Sequence, residues 1–253
     1  MIRFPALRRK HKMWLGLLVL GMALLIAAWQ YWRVRDWGYL QYYAWTSSEA
    51  KVETPADLAE VLKPFERIRF QNLPAAYRSK TLSNEAPFRG ILASRRYYVI
   101  PRRAIYRKLV GDFRIRDFLP RDRYFKNCIL GREASVYWLV DIRLLQKFLA
   151  FQEALRKKGY DDSAFYIYNG YRHPAYNKRV GGASRSRHIV GEAVDISIRD
   201  INQDGRSTQE DKAIVLEILD RQIIGNGGGL GKYPGTMSVH FDVRGYRARW
   251  DKQ

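Results

Sequence analysis

Two histidines and one aspartate in the carboxyl-terminal half of the chain have the types and spacing of a metal site. His188 and Asp195 flank the small residues Gly191 and Ala193, and His240 follows in a later apolar segment. Small residues let the chain turn tightly, so that both flanking side chains can converge. A catalytic zinc site takes three protein ligands and keeps one position open. These three residues are therefore predicted to bind zinc.

Short strands are predicted to carry two of these ligands. Residues 193–196 alternate in a way that directs Asp195 to one face of a strand and apolar side chains to the other. His240 lies between two apolar residues in segment 237–243, on the same strand face as Asp242. For either histidine taken alone, an ordinary position in a sheet is the alternative.

The surrounding segments alternate between helical and extended patterns. A helix capped by Asp141 precedes an aromatic strand at residues 165–168. A capping box of Ser207 and Glu210 starts a second helix, and segment 237–243 is the last predicted strand. The predicted fold class is α+β, with a small, mostly antiparallel sheet and flanking helices.

The amino-terminal segment has the composition of a membrane anchor. Residues 1–12 carry five basic side chains and no acid, and residues 13–32 carry no charge. Twenty helical residues span the ~30 Å hydrocarbon core. A cleaved signal peptide and a buried core helix are the alternatives, but Trp29 follows the alanines where a cleavage site would need small residues. The basic flank predicts that the rest of the chain lies outside the cytoplasm.

Four parts are predicted from these patterns. They are a cytoplasmic basic tail (1–12), a transmembrane anchor (13–32), a small membrane-proximal region of unknown role (33–126) and a zinc-binding domain (127–253). Within the third part, only a capped helix starting at residue 54 and a strand at 95–100 can be predicted.

The chain is strongly basic, with 45 Lys and Arg against 25 Asp and Glu and a net charge of +20. Such a surface attracts polyanions. The predicted location argues against nucleic acid as a partner. Salt-sensitive binding to anionic lipid or another polyanion, independent of His188, is an alternative function. Cys128 is the only cysteine, so no intramolecular disulfide can form, and the oligomeric state cannot be predicted.

A second metal site is predicted shortly after Asp195. Asp200, Asn202 and Asp204 occupy the first, third and fifth positions of a calcium-loop template, and Asp211 occupies the twelfth. This pattern resembles dockerin loops and predicts a structural calcium ion that braces the zinc site. A polar surface loop with a helix cap is the alternative.

The motifs around His188 resemble a known family, the D-alanyl-D-alanine metallocarboxypeptidases. This family belongs to a group of zinc peptidases that includes lysostaphin-type enzymes and the hedgehog fold. The resemblance covers roughly residues 130–253. Within the family, the closing residues are similar to the endopeptidase-type branch of Gram-negative bacteria. It rests on NGYRHP (169–174), NKRVGG (177–182), S-x-H-x-x-G-x-A-x-D (186–195) and the closing segment from His240 to Trp250.

This resemblance implies a zinc-dependent peptidase that hydrolyses stem peptides or cross-links of peptidoglycan, as a D-Ala carboxypeptidase or an endopeptidase. His188, Asp195 and His240 would hold the zinc ion. Arg172 and Ser186 would contact a carboxylate or peptide carbonyl of the substrate. Together with the predicted anchor, it implies a single-pass protein of the bacterial inner membrane, with the catalytic domain in the periplasm or otherwise outside the cytoplasm.

Many relatives place a general base two or three residues before the last ligand, where this chain has Met237 and Ser238. Asp242 is the candidate catalytic residue instead, either as the base or as an orienter of His240. Glu192 is the alternative. Without a base, the protein would be a non-catalytic, membrane-tethered peptidoglycan-binding protein.

Overall fold

The computed structural model describes residues 9–82 and 88–251. The amino-terminal unit, Met1–Ser47, consists in its described part of one long helix, α1 (Arg9–Thr46). Large apolar side chains between Trp14 and Ile26 are exposed on it. No single helix in the described ranges meets the length and hydropathy expected of a membrane span, but Trp14–Ala27 and Gln30–Thr46, bent by 54°, meet them together. The anchor at 13–32 stays a prediction, and residues 1–8 of the basic tail lie outside the described residues.

The second unit, Ser48–Gln253, contains the other described elements. Its helices are α2 (Pro55–Leu62), α3 (Ala75–Leu82), α4 (Arg89–Ser94), α5 (Ile115–Phe118), α6 (Arg123–Ile129), α7 (Ile142–Lys157), α8 (Pro174–Arg179) and α9 (Gln209–Ile218). Its strands are β1 (Arg67–Arg69), β2 (Arg96–Pro101), β3 (Lys108–Val110), β4 (Phe113–Arg114), β5 (Ser135–Trp138), β6 (Phe165–Asn169), β7 (Ala193–Ile198), β8 (Gly229–Lys232), β9 (Ser238–Asp242) and β10 (Ala248–Asp251).

A five-stranded sheet with the order β10-β8-β9-β7-β6 lies at the centre of the second unit. All its neighbours pair antiparallel except β10 and β8, which pair parallel. The mixed α+β class with a mostly antiparallel sheet is confirmed. The prediction that segment 237–243 forms the last strand is wrong, because β10 follows it. This short edge strand has no run of apolar residues from which it could have been predicted.

One face of this sheet packs on α7 through aromatic rings. The ring of Phe148 lies 5.6 Å from that of Phe165 and 5.8 Å from that of Phe241. Each such side chain contributes roughly 1.5–3 kcal/mol when fully buried. Because neighbouring residues of a strand face opposite sides, this apolar packing leaves Asp195 and His240 on the other face of the sheet.

Helix caps are placed mostly as predicted. Asp141 accepts a hydrogen bond from the Arg143 amide and begins α7. The capping box of α9, however, is formed by Thr208 and Asp211 rather than by the predicted Ser207 and Glu210. Both pairs fit the same spacing. The carboxylate of Asp211 also accepts hydrogen bonds from the preceding loop, which favours the second pair.

A three-stranded sheet of order β1-β2-β5 joins residues on both sides of the predicted boundary at 126/127. Strand β2 corresponds to the strand predicted at 95–100, and its partner β5 lies beyond residue 126. The boundary itself lies within α6, inside the unit Ser48–Gln253. The division of the chain into domains stays a prediction.

A buried carboxylate makes the stability of this unit depend on pH. Asp122 begins α6 by accepting hydrogen bonds from the Tyr124 and Phe125 amides, and burial raises its pKa from 3.8 to about 6. Its contribution to the free energy of unfolding is therefore fully present below pH 3.8 and is lost as pH rises through about 6. Asp122→Asn keeps a capping oxygen and should be the more stable protein at pH 7, by on the order of 2–3 kcal/mol.

Urea unfolding at pH 4 and pH 7 measures this effect. The control is Asp57→Asn, because hydrogen bonds from Thr54 lower the pKa of that exposed carboxyl, so its contribution to stability is lost at low pH instead. Parallel pH profiles for the Asp122→Asn variant and the unmodified protein would contradict the prediction.

Candidate metal centre

Three predicted ligands converge on one point in the second unit. Asp195 on β7 and His240 on β9 are direct partners in the antiparallel register. His188 comes from the short turn Arg187–Val190. His188 Nε2 lies 3.1 Å from Asp195 Oδ1 and 3.2 Å from His240 Nδ1, and His240 Nδ1 lies 2.8 Å from Asp195 Oδ1. All three side chains are buried, and a metal ion can be held among them.

In each histidine, the hydrogen bond made by the outward-facing ring nitrogen determines that the second ring nitrogen faces the candidate metal position. His188 Nδ1 lies 2.7 Å from the carbonyl oxygen of Gly170, and His240 Nε2 lies 3.0 Å from Asp242 Oδ2. Carbonyl and carboxylate oxygens only accept, so these two nitrogens carry the protons. His188 Nε2 and His240 Nδ1 therefore direct lone pairs toward Asp195 Oδ1. Three acceptor atoms this close repel one another unless a cation or an extra proton lies among them.

The spacing of these atoms fits zinc. Tetrahedral zinc bound at 2.0–2.2 Å separates its ligand atoms by about 3.3 Å. The three observed separations, 2.8 to 3.2 Å, are slightly shorter than that value. Two imidazole nitrogens and one carboxylate oxygen also make three protein ligands, which is the number that catalytic zinc sites use.

Protonation at the cluster follows from burial and from the neighbouring charges. Burial lowers the pKa of His188 and favours its neutral form. Burial opposes the ionisation of Asp195, but interactions with His188 and His240 hold the pKa of this carboxyl well below its usual value. For His240 burial is outweighed by hydrogen bonds to Asp195 and Asp242, which raise its pKa. An ionised Asp195 and a neutral His188 are the forms that metal ligation requires.

Asp195 is held so that only one of its oxygens faces the cluster. Its Oδ2 accepts hydrogen bonds from Arg172 at 2.7 Å and from the Asn169 side chain at 3.2 Å. Its Oδ1 is left for the metal ion. Arg172, predicted from the resemblance to contact substrate, thus also positions a ligand, while Ser186 lies beside His188 at the edge of the same cleft.

Asp242 lies behind His240 rather than in the cleft with it. Its carboxylate is fully buried and accepts hydrogen bonds from His240 Nε2, the Gly229 amide and the Arg244 guanidinium. Burial opposes its ionisation, but Arg244 and His240 hold its pKa far below the usual value. Nε2 and Nδ1 point in nearly opposite directions from an imidazole ring. The position of Asp242 therefore favours the orienting role over that of the base.

Glu192, the alternative base, is occupied elsewhere. Its carboxylate forms ion pairs with Arg95 at 2.9 Å and Arg187 at 3.1 Å. Glu192 is not among the residues that line the cleft beside the ligands.

The cleft beside the ligands has a volume of about 260 Å³, and its lining residues are Arg172, Gly182, Ala183, Arg185, Ser186, Arg187, His188, Tyr233, His240, Arg244 and Trp250. Two depressions of about 660 and 490 Å³ lie elsewhere and contain none of the three ligands. Volume alone would therefore choose the wrong site. The convergence of the ligand atoms identifies the cleft instead.

Trp250 and Tyr233 form the aromatic part of this cleft, and sequence analysis did not predict them as site residues. The Trp250 ring lies 5.0 Å from the His240 ring. Trp250 pairs with Gly231 across β10 and β8, and a Cβ atom at position 231 would lie 2.6 Å from the Trp250 ring. The closing segment that ends at Trp250 and this glycine were the sequence signals, but their relation to the site becomes visible only when β10 pairs with β8.

Residues before position 126 contact the backbone segment that orients His188. The Phe118 carbonyl accepts a hydrogen bond from the Tyr171 amide at 3.1 Å. A Cβ atom on Gly170 would lie 2.1 Å from the same carbonyl oxygen. Helix α5 therefore packs directly against the backbone whose carbonyl orients His188.

The predicted calcium loop does not form a metal cluster. Oδ1 of Asp211 accepts hydrogen bonds from the Ile201 and Asn202 amides, and its Oδ2 accepts from Thr208. Asp200 and Asp204 accept from backbone amides of their own loop. Within the described ranges, His188, Asp195 and His240 are the only group of three or more His, Cys, Asp or Glu side chains close enough together to hold a metal ion. The calcium ion is unsupported, and the loop acts as a helix cap, as in the alternative interpretation.

A small, mostly antiparallel sheet and a neighbouring turn together present one aspartate and two histidines beside a cleft, which defines a candidate metal-dependent enzyme. A family model described as Peptidase M15 matches residues 127–218, about a third of the chain. This match agrees with the family that the motifs resembled. At family level the match supports a zinc-dependent metallopeptidase of the peptidoglycan-acting kind.

The match includes His188 and Asp195 but ends before His240. The third ligand is therefore identified by the β7–β9 pairing and not by the family match. No curated protein matches this chain.

The role of Asp242 can be tested by separating zinc affinity from turnover. Asp242→Asn keeps the size of the side chain and removes the charge that orients His240. Loss of such a partner typically weakens metal affinity roughly 10- to 100-fold. We expect a loss of this size in a competition titration against a chromophoric chelator.

The matched control is Asp220→Asn, which also removes a carboxylate paired with arginines. It should leave zinc affinity unchanged. If instead Asp242→Asn binds zinc normally and loses all hydrolysis, Asp242 is the general base.

Proposed function

We propose that this protein is a zinc-dependent peptidase that hydrolyses stem peptides or cross-links of peptidoglycan. The observation that carries the proposal is the group of three buried acceptor atoms within 3.2 Å of one another, beside a cleft and partly within a peptidase M15 segment. A cleft of about 260 Å³ is large enough for a short stretch of peptide.

Zinc at this site would supply Lewis-acid catalysis of peptide-bond hydrolysis. His188, Asp195 and His240 would hold the ion, and Gly170 and Asp242 orient the two imidazoles. Each outer partner accepts a hydrogen bond from the N–H of the nitrogen that faces away from the site, which keeps the proton there and leaves the other nitrogen unprotonated.

Arg172 and Ser186 are proposed to bind the substrate. Nε of Arg172 is buried and has no hydrogen-bond partner in the described chain, although another nitrogen of the same group binds Asp195. Such a donor favours a substrate oxygen as its partner, because an unpaired buried donor is destabilising. The Ser186 hydroxyl lines the same cleft beside His188 and can donate a second hydrogen bond.

A non-catalytic peptidoglycan-binding protein is the second candidate. Among the described residues that line the cleft, the only histidines are ligands and there is no carboxylate. The lining therefore provides neither a free histidine nor a carboxylate that could act as the general base. In this alternative the same cleft binds wall peptides without cutting them.

Digestion of purified peptidoglycan fragments by the full chain in detergent, read by mass spectrometry, tests the peptidase proposal. Loss of a terminal D-Ala would identify a carboxypeptidase, and splitting of a cross-link would identify an endopeptidase. Either product should fall to background with chelator and in His188→Ala. Unchanged fragments from protein that carries stoichiometric zinc would contradict the peptidase, and retained binding of the fragments would then favour the second candidate.

We also propose that α1 anchors the protein in the bacterial inner membrane, with the second unit in the periplasm. The exposed apolar side chains between Trp14 and Ile26 and the basic residues before them support this location. The full chain should sediment with membranes and resist alkaline extraction. Release into the soluble fraction without detergent would contradict the anchor.

A further inference from the structure

Four arginines line the small cleft beside the metal ligands. Three of them are committed to carboxylates of the protein: Arg172 to Asp195 at 2.7 Å, Arg187 to Glu192 at 3.1 Å, and Arg244 to Asp242 at 2.5 Å. Within each of these pairs, the negative charge of the carboxylate offsets the positive charge of the arginine. The fourth, Arg185, therefore decides whether the cleft offers an uncompensated positive charge.

Arg185 differs from the other three in its surroundings. Its side chain is exposed at the cleft, and no carboxylate or other partner engages it within the described part of the chain. Its guanidinium has five N–H donors in a planar fork that matches a carboxylate in two parallel hydrogen bonds. The charge and the donors of Arg185 are both available to a ligand.

The loop that carries Arg185 is held by hydrogen bonds to the buried residue Asn177. Asn177 is fully buried, its Nδ2 donates a hydrogen bond to the Ala183 carbonyl, and its backbone carbonyl accepts one from the Gly182 amide. A Cβ atom on Gly182 would lie 2.2 Å from the Asn177 side-chain oxygen, so the two residues approach as closely as glycine allows. The Ser186 amide closes the turn on the Ala183 carbonyl. A backbone held in this way limits the entropy lost when Arg185 binds a ligand.

We propose that Arg185 selects the substrate by binding a free carboxylate of the peptide close to the bond that is cut. The cleft then prefers anionic peptides to the same peptides with that carboxylate amidated. This inference rests on the proposed function, which supplies the peptide. The carboxylate belongs either to the peptide's C-terminus or to an acidic side chain, and Arg185 can recognise both.

Calorimetric titration of the zinc-loaded full chain in detergent tests this selection without requiring turnover. The probes are three synthetic stem peptides: the free acid, the C-terminal amide and the side-chain amide. The variants are Arg185→Gln, Arg185→Lys and, as control, Arg206→Gln, which removes an exposed arginine from the loop before α9. Thermal melts establish that each variant is folded.

We expect the free acid to bind about ten-fold more tightly than one of the two amides, the size of one charge-assisted hydrogen bond. The amide that binds weakly identifies which carboxylate is recognised. Arg185→Gln should abolish the preference and Arg206→Gln should retain it. Arg185→Lys should show a reduced preference, because a point charge lacks the fork. Raising the salt concentration should weaken the preference, because Arg185 is exposed.

Equal affinity of the unmodified protein for all three peptides would overturn the proposal. A preference that persists in Arg185→Gln, or no measurable binding of any peptide, would overturn it as well. Hydrolysis of the same peptides is measured separately. Absence of hydrolysis with the acid preference intact contradicts the peptidase and leaves the assignment of Arg185 standing, so the two failures can be told apart.

Discussion

The repulsion among three buried acceptor atoms is the constraint on which the second unit depends. His188 Nε2, His240 Nδ1 and Asp195 Oδ1 are held within 3.2 Å of one another by hydrogen bonds on their far sides. A cation relieves this repulsion. Two of the ligands are direct partners in one antiparallel register. A slip of one residue in that register would turn His240 toward the apolar face, so the packing of the core and the metal site specify the same pairing.

A layer of partners around the ligands keeps them in place. Gly170 and Asp242 determine which nitrogen of each histidine faces the ion, and Arg172 restricts Asp195 to one oxygen. Part of this layer comes from residues before position 126, since the carbonyl of Phe118 supports the backbone at Tyr171. The region between the long helix and the matched family segment therefore contributes to the geometry of the site.

Arginines have two roles around the cleft. Those paired with Asp195, Glu192 and Asp242 neutralise carboxylates that would otherwise be buried without a partner, a costly arrangement. Arg185 has no such partner in the described chain and gives the cleft its free positive charge. The strongly basic composition thus has a local meaning at the site, beyond a general attraction to anionic surfaces.

The sequence by itself indicated the family resemblance, the candidate ligands and the elements with strong local signals. Among these are the Asp141 cap and the alternating strand that carries Asp195. The tertiary structure decided the roles that depend on contacts between distant segments. It placed Trp250 beside His240 through the pairing of β10, and Asp242 behind the ligand instead of in the cleft. It also showed that the carboxylate of Asp211 accepts hydrogen bonds from backbone amides, whereas the sequence predicted it to bind calcium. A local pattern specifies which donors and acceptors are present, but their partners are chosen only when the sheet and its loops have packed.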